Sequence, residues 1–224
     1  AQRDIDVVPL KVLFGETAYR DGIDLDHPTF YQMLSQSKAL PTTSQPTPDD
    51  FLPYFERARD QGDHLICALL SSQLSGTVQS AQIAREMCGY EHIYIIDSTL
   101  AIVALRAMLD LGEQLRSQGM SAPDIAAQIE AAKSRMRVFG IVDTLEYLHK
   151  GGRMSTSVAV VGSLLRVKPI ITLKDGVLGL VGKGVGTKGS LAGMLKQVGD
   201  DIHPDPRLPI YYGYSGDDTL CRQF

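Results

Sequence analysis

The chain contains no tryptophan, and aromatic residues make up only 7 % of its 224 positions. Platforms for stacking bases are therefore not expected. Positive charge is not in excess either: 22 Lys and Arg stand against 26 Asp and Glu, for a net charge of -4. A nucleic-acid binder usually carries a basic footprint, so no nucleic-acid partner is expected. Three cysteines, Cys67, Cys88 and Cys221, lie far apart with no CxxC pair, which argues against a zinc site or a redox pair. No apolar run reaches membrane-spanning length and nothing reads as a signal peptide. A cytoplasmic protein without an integral membrane segment is the expectation.

Two motifs of nucleotide and acyl chemistry are also missing. There is no GxxxxGK[ST] loop to cradle a di- or triphosphate, and no GxSxG nucleophile elbow; "GYSG" at Gly213–Gly216 is a different pattern. The five histidines, His27, His64, His92, His149 and His203, are scattered, and none lies in a hydroxyl-rich loop. No carboxylate cluster supports a metal. Asp97-Ser98 reads as a strand end whose Asp caps the next helix.

What the chain does have is alternation of short apolar runs with amphipathic segments. Ile5–Phe14 reads as a strand ended by Gly15. A helix follows, with Asp26 as its cap and Pro28 in its first turn. "ALPTTSQPTPDD" reads as a loop, after which Thr47 caps a helix running to Gly62. His64–Leu70 and "HIYIIDS" are apolar without alternation, as in parallel strands covered on both faces. Helices are read from Thr77 to Met87, from Thr99 to Gly119 and from Ala122 to Met136. Strand and helix thus alternate to about residue 135, the signature of a parallel α/β layer. The pattern then changes to a strand, a short helix, a Gly-Gly-Arg loop and an apolar helix "VAVVGSLLRV". A hairpin turning at Asp175-Gly176 follows, with a last strand "PIYYGYS". The expected fold is α/β: a three-layer parallel-sheet domain over 1–134, and a two-layer α+β domain with a mixed sheet over 135–224.

Two hydroxyl-rich loops could meet beyond the carboxyl ends of the strands, where open parallel sheets hold ligands. One is "PTTSQP" at Pro41–Pro46, the other "SSQLSGT" at Ser71–Thr77. Ser and Thr also cap helices and fill turns, and taken singly Ser71, Ser72 and Thr77 are better explained that way. Gly76 frees a turn or lets a ligand approach closely. Neither loop carries Lys or Arg, so a single-charged anion suits them better than a nucleotide. Lys150, Arg153, Lys183 and Lys188 read as a solvated face, or as a patch for a partner.

"PTTSQPTPDDF", "SSQLSGTVQSAQIA", "YIIDS", "LEYLHKGGRMS" and "GSLLRVKPIITLKDG" occur in the order and spacing seen in the DegV family. The resemblance covers nearly the whole chain. It implies two α/β domains with a long-chain fatty acid between them, no cofactor, and no chemistry performed by the chain itself. It further implies a partner, the catalytic subunit of a fatty acid kinase, to which the bound carboxylate is presented for acyl-phosphate formation and phospholipid synthesis. Carried over by position, the carboxylate contacts fall on Thr43 and Ser75, with Ser44 and Gly76 beside them. Arg153 matches an arginine linked with kinase docking. Hydroxyls and a helix start suffice for one carboxylate. About fourteen buried methylenes contribute on the order of 10 kcal/mol before ordering costs, and each hydrogen bond to the charged head adds about 1.5–3 kcal/mol. The tunnel wall is expected to draw on "VAVVGSLL" and on the helix from Leu100.

The chain also departs from the family pattern. The usual opening strand ending in Thr-Asp-Ser and the closing Gly-rich segment with a ligand-site His are not in it, so further residues are expected at both ends. Val185 stands where an arginine is common, which touches kinase docking more than lipid binding. Two rival functions remain open. One is a phosphoryl-transfer or hydrolytic enzyme acting in the same cleft. The other is a lipid sensor that hands its acid to no kinase.

Overall fold

The computed structural model describes residues 5–154, 166–201, 208–216, 218 and 221–223. The strand read over Ile5–Phe14 is shorter, β1 (Lys11–Phe14), because Pro9 has no N–H to give a ladder. Gly15, at φ 62°, turns the chain into β2 (Thr17–Arg20), which pairs antiparallel with β1. The other edge of β1 takes up β3 (Thr42–Ser44), in register Leu13↔Thr42 and Lys11↔Ser44. A segment read as loop is therefore a strand of three residues, confined between Pro41 and Pro46.

The helices between these strands start as their caps dictate. The Asp26 carboxylate accepts from Thr29 N at 2.8 Å, with Pro28 behind it, and α1 spans His27–Gln36. Thr47 opens α2 (Pro48–Gln61), donating from N and Oγ1 to Asp50 Oδ2 at 2.8 and 2.9 Å. Lys11 Nζ also reaches Asp50 Oδ2, at 2.9 Å, and ties β1 to the start of α2. Gly62, at φ 71°, closes that helix.

β4 (Leu65–Leu69) and β5 (Ile93–Asp97) are parallel, Leu65↔Ile93 through Leu69↔Asp97. Between them runs α3 (Thr77–Cys88). Period two divides their side chains between two cores. Leu65, Cys67, Leu69, Ile93 and Ile95 pack with Phe51 and Phe55 of α2 and Ala81 and Ala84 of α3. Ile66, Ala68 and Ile96 turn the other way, onto α4 (Ile102–Ser117) and α5 (Ala122–Lys133), where Met108 and Ile129 are buried. This is the three-layer arrangement, with two parallel strands among the described residues.

The second sheet runs β6 (Val138–Ile141), β7 (Val167–Lys174), β8 (Val177–Val185). Both pairings are antiparallel, so the described strands show no parallel partner of the kind a mixed sheet needs. The hairpin turns at Asp175 and Gly176, both with positive φ (50° and 82°), as a two-residue turn of this hand requires. α6 (Glu146–Lys150) precedes the Gly-Gly-Arg loop. α7 (Gly186–Asp201) lies on β8 and β7. Val138 and Leu173 of this sheet are buried in the same cluster as Ile96 and Met108. The run "PIYYGYS" is not a strand: none of its described residues pairs with one. It is held by side chains instead, with Tyr211 donating to Asp110 Oδ2 at 2.8 Å and Tyr31 bonded to Ser215 Oγ at 2.7 Å. Among the described residues no helix is long and apolar enough to cross a membrane.

Candidate functional site

The carboxyl ends of β4 and β5 are stitched together before any ligand is considered. Ser71 is fully buried, and its N–H donates to Leu100 O at 2.8 Å. Its carbonyl accepts from Leu74 N and Ser75 N, at 3.0 and 3.2 Å. Its hydroxyl accepts from Gln73 N at 3.2 Å and donates to Gly176 O, in the hairpin turn, at 2.8 Å. Asp97 does not cap α4, whose cap position is Ala101. Its carboxylate accepts from Ser72 N and Thr99 N instead, at 3.2 and 3.0 Å, and so joins the two strand-end loops. Thr99 and Ile102 both carry positive φ, 54° and 47°, which is strained for β-branched residues.

Against this braced loop lies a cavity of about 260 Å³, lined by Leu10, Thr43, Gln45, Leu70, Leu74, Ser75 and Arg153. Four segments build it: the chain before β1, strand β3, the β4–α3 loop, and the loop after α6. Period two along this extended segment places Thr43 and Gln45 on the cavity side and Ser44 on the opposite side, and all three are exposed. The Ser75 hydroxyl is hydrogen-bonded to Thr77 Oγ1 at 2.8 Å. Arg153 reaches in from the Gly-Gly-Arg loop, donating from Nε to Leu74 O at 3.1 Å and from Nη1 to Gly151 O at 2.5 Å.

Three of the residues singled out from sequence, Thr43, Ser75 and Arg153, thus share one cavity, and Arg153 is exposed there, as Lys150, Lys183 and Lys188 are exposed elsewhere. Lys150 forms an exposed pair with Glu146 at 2.5 Å within α6. Gly76 does not supply a special turn, since its φ is -73°. It supplies space: a Cβ there would lie 2.3 Å from Gln45 Oε1. Gln45, Leu10, Leu70 and Leu74 were not singled out. The signal for Gln45 is its spacing of two from Thr43, which shares a face with it once "PTTSQP" is extended. Leu100 is buried in the core with Ile96 and Met108, two residues before the helix begins, and serves packing. "VAVVGSLL" lies outside the described residues.

Chemically, the described lining offers hydroxyls, a carboxamide, one guanidinium and aliphatic carbon, with no imidazole, thiol or carboxylate. Burial pushes the Cys67 thiol of β4 up to about 12, so it carries no thiolate at neutral pH. Among the described residues no group of three or more His, Cys, Asp or Glu could hold a metal ion.

A family model described as an uncharacterised protein of the DegV family matches residues 1–224. The chain belongs to the DegV family. A DegV domain-containing protein of Caldanaerobacter subterraneus subsp. tengcongensis is 35 % identical over 184 residues, covering 82 % of this chain and 65 % of that protein. The solved structure of a DegV family protein from Thermus thermophilus, described by its fatty acid binding, matches with TM-score 0.77 at 33 % identity. That match covers 86 % of this chain and 69 % of the other. A stearic acid-binding protein from Eubacterium ventriosum matches with TM-score 0.79 at 30 % identity, over 88 % of this chain and 69 % of its own. The chain spans 65, 63 and 60 % of the length of the DegV relatives from Caldanaerobacter subterraneus, Bacillus subtilis and Halalkalibacterium halodurans.

Proposed function

We propose that this chain binds a long-chain fatty acid, with the carboxylate at Thr43 and Ser75, and presents that carboxylate to the catalytic subunit of a fatty acid kinase. The observation that carries the reading is the convergence of the two hydroxyl loops on one cavity whose remaining neighbours include Leu10, Leu70 and Leu74. Hydroxyl donors together with aliphatic carbon in one lining suit an amphiphile with a single small anionic head. The fatty acids bound by the relatives from Thermus thermophilus and Eubacterium ventriosum support the same ligand class. Residues 1–134 supply the hydroxyl loops in this reading, and 135–224 supply the cover. Arg153, exposed beside Ser75, is the residue that a kinase approaching the head group would meet.

An enzymatic role for Ser75 has less support. A nucleophilic serine needs a base within hydrogen-bond reach, and the partner of Ser75 Oγ is the Thr77 hydroxyl.

Native mass spectrometry of the purified protein, followed by denaturing extraction, tests the ligand class. A co-purifying fatty acid that is lost from Thr43→Ala/Ser75→Ala supports the reading; a protein that arrives empty and takes up no added fatty acid overturns it. Arg153→Ala, assayed with a fatty acid kinase subunit and compared with the unaltered chain at equal acyl load, should lose acyl-phosphate formation by about tenfold or more, a factor worth roughly 1.4 kcal/mol. Unchanged transfer would remove the docking role.

A further inference from the structure

Gln45 lies in a stretch that carries the family resemblance, but neither that resemblance nor composition gives it a role. It lines the cavity with Thr43, two residues before it on the same side of an extended segment. The residue is exposed, yet its carboxamide is held in place. It lies across Gly76, at the start of α3, so closely that a methyl group on Gly76 would stand 2.3 Å from Oε1 and 2.6 Å from Nε2. There Nε2 donates to Ser80 Oγ at 3.1 Å. Ser80 is buried on the first turn and a half of α3, and it does not line the cavity. A polar side chain on one loop is thus clamped to a buried hydroxyl behind the other loop, and a glycine leaves room for the clamp.

We propose that Gln45 is a positioning residue that sets the separation between Thr43 and Ser75, and so makes the site selective for a carboxylate head over an uncharged one. This rests on the fatty-acid reading above. β3 is only three residues long and pairs with β1 through Thr42, Thr43 and Ser44. Nothing in that ladder fixes how far Thr43 stands from α3. The Gln45–Ser80 bond does, because it bridges β3 to the helix that begins beside Ser75. Two hydroxyls can share one carboxylate only if their spacing matches its two oxygens, whereas an alcohol head needs only one of them. Loss of the clamp should therefore weaken binding of the acid and spare the alcohol.

The test uses the full chain and a matched pair of probes, stearic acid and stearyl alcohol, with affinities measured by displacement of a fluorescent fatty acid. Gln45→Ala should lower affinity for the acid by about tenfold, the scale of one lost hydrogen bond in a charged site, and change affinity for the alcohol by less than about twofold. Ser80→Ala, which touches no ligand, should reproduce that selectivity change, and the double variant should lose no more than either single one. Gly76→Ala should do the same by pushing the carboxamide aside. Equal losses for acid and alcohol, an unchanged acid affinity in Gln45→Ala, or additive effects of Gln45→Ala and Ser80→Ala would each overturn the proposal. If the unaltered chain binds neither probe, the fatty-acid reading itself fails and this proposal falls with it. If it binds both and the variants behave like it, only the role of Gln45 fails.

Discussion

At the scale of single residues, polar side chains in this protein mostly hold backbone in place. Asp24 accepts from the Arg20 guanidinium at 2.8 Å through both carboxylate oxygens, and from Arg20 N at 3.0 Å. These bonds hold its carboxyl at about 2, below its ordinary 3.8. A carboxyl lowered in the folded state stabilises that state at pH above its ordinary value, and the contribution is lost as pH falls through the lowered one. The window is therefore from about pH 4 down to about pH 2. In an NMR titration Asp24 should remain largely ionised at about pH 3, and Asp24→Asn should remove the loosening of the β2–α1 junction across that window. The pair is exposed, so added salt should blunt the effect. Asp50 behaves in the same direction for a different balance: burial raises its carboxyl, and bonds from Lys11 and Thr47 outweigh that and leave it lowered.

At the scale of elements, glycine decides how closely α7 can lie on its sheet. A Cβ on Gly184 would sit 2.2 Å from Ser190 Cα and 2.3 Å from Ser190 N, so β8 and α7 touch through backbone. Gly193 stands against Ile170 Cδ1 in the same contact, at 2.9 Å for a built Cβ. Gly184→Ala should therefore force the helix off the sheet and cost about 1–3 kcal/mol, read as a lower urea midpoint at unchanged slope. A shift under about 0.3 kcal/mol would mean that the helix has room to move. The same glycines explain why α7 escaped the sequence reading: Gly186, Gly189, Gly193 and Gly199 all lie in it, and glycine disfavours a helix by about 1 kcal/mol relative to alanine. Packing against β7 and β8 overrides that preference. β3 was missed for a related reason: its three residues become a strand only because β1 presents a free edge.

At the scale of the whole molecule, the loop bearing Ser75 is pinned at two points, from the hairpin turn of the second sheet and from the loop after α6. The hairpin turn accepts the Ser71 hydroxyl at Gly176 O, and Arg153 donates to Leu74 O. A Cβ on Gly176 would stand 2.5 Å from Ser71 Oγ, so the turn and the loop fit by close approach. Ser71→Ala leaves a carbonyl in a buried place without its donor, at a cost of about 1–3 kcal/mol. Hydrogen exchange should then speed up at the hairpin turn and across Ser71–Ser75 more than in α2 or α5. Exchange that rises evenly over the chain would show that the bond adds to global stability without coupling the two parts.

Local chemistry alone determined most of the elements. Asp26, Thr47 and Ser121 start helices because their side chains meet early N–H groups or carboxylates, and Gly62 and Gly89 end them with positive φ. The unbroken apolar runs at β4 and β5 announced strands covered on both faces, and Asp175-Gly176 announced its turn. Those signals are short-range, so a sequence displays them. The two hydroxyl loops and the residues that carry the family resemblance could be read in the same way. Tertiary structure decided what no local signal holds: that β3 joins β1, that "PIYYGYS" stays unpaired among the described residues, and that α7 forms despite its glycines. It also brought Arg153 from the loop after α6 to Thr43 and Ser75, and laid Gln45 across Gly76. Each of these depends on which surfaces meet across long stretches of chain, and composition and spacing do not encode that distance.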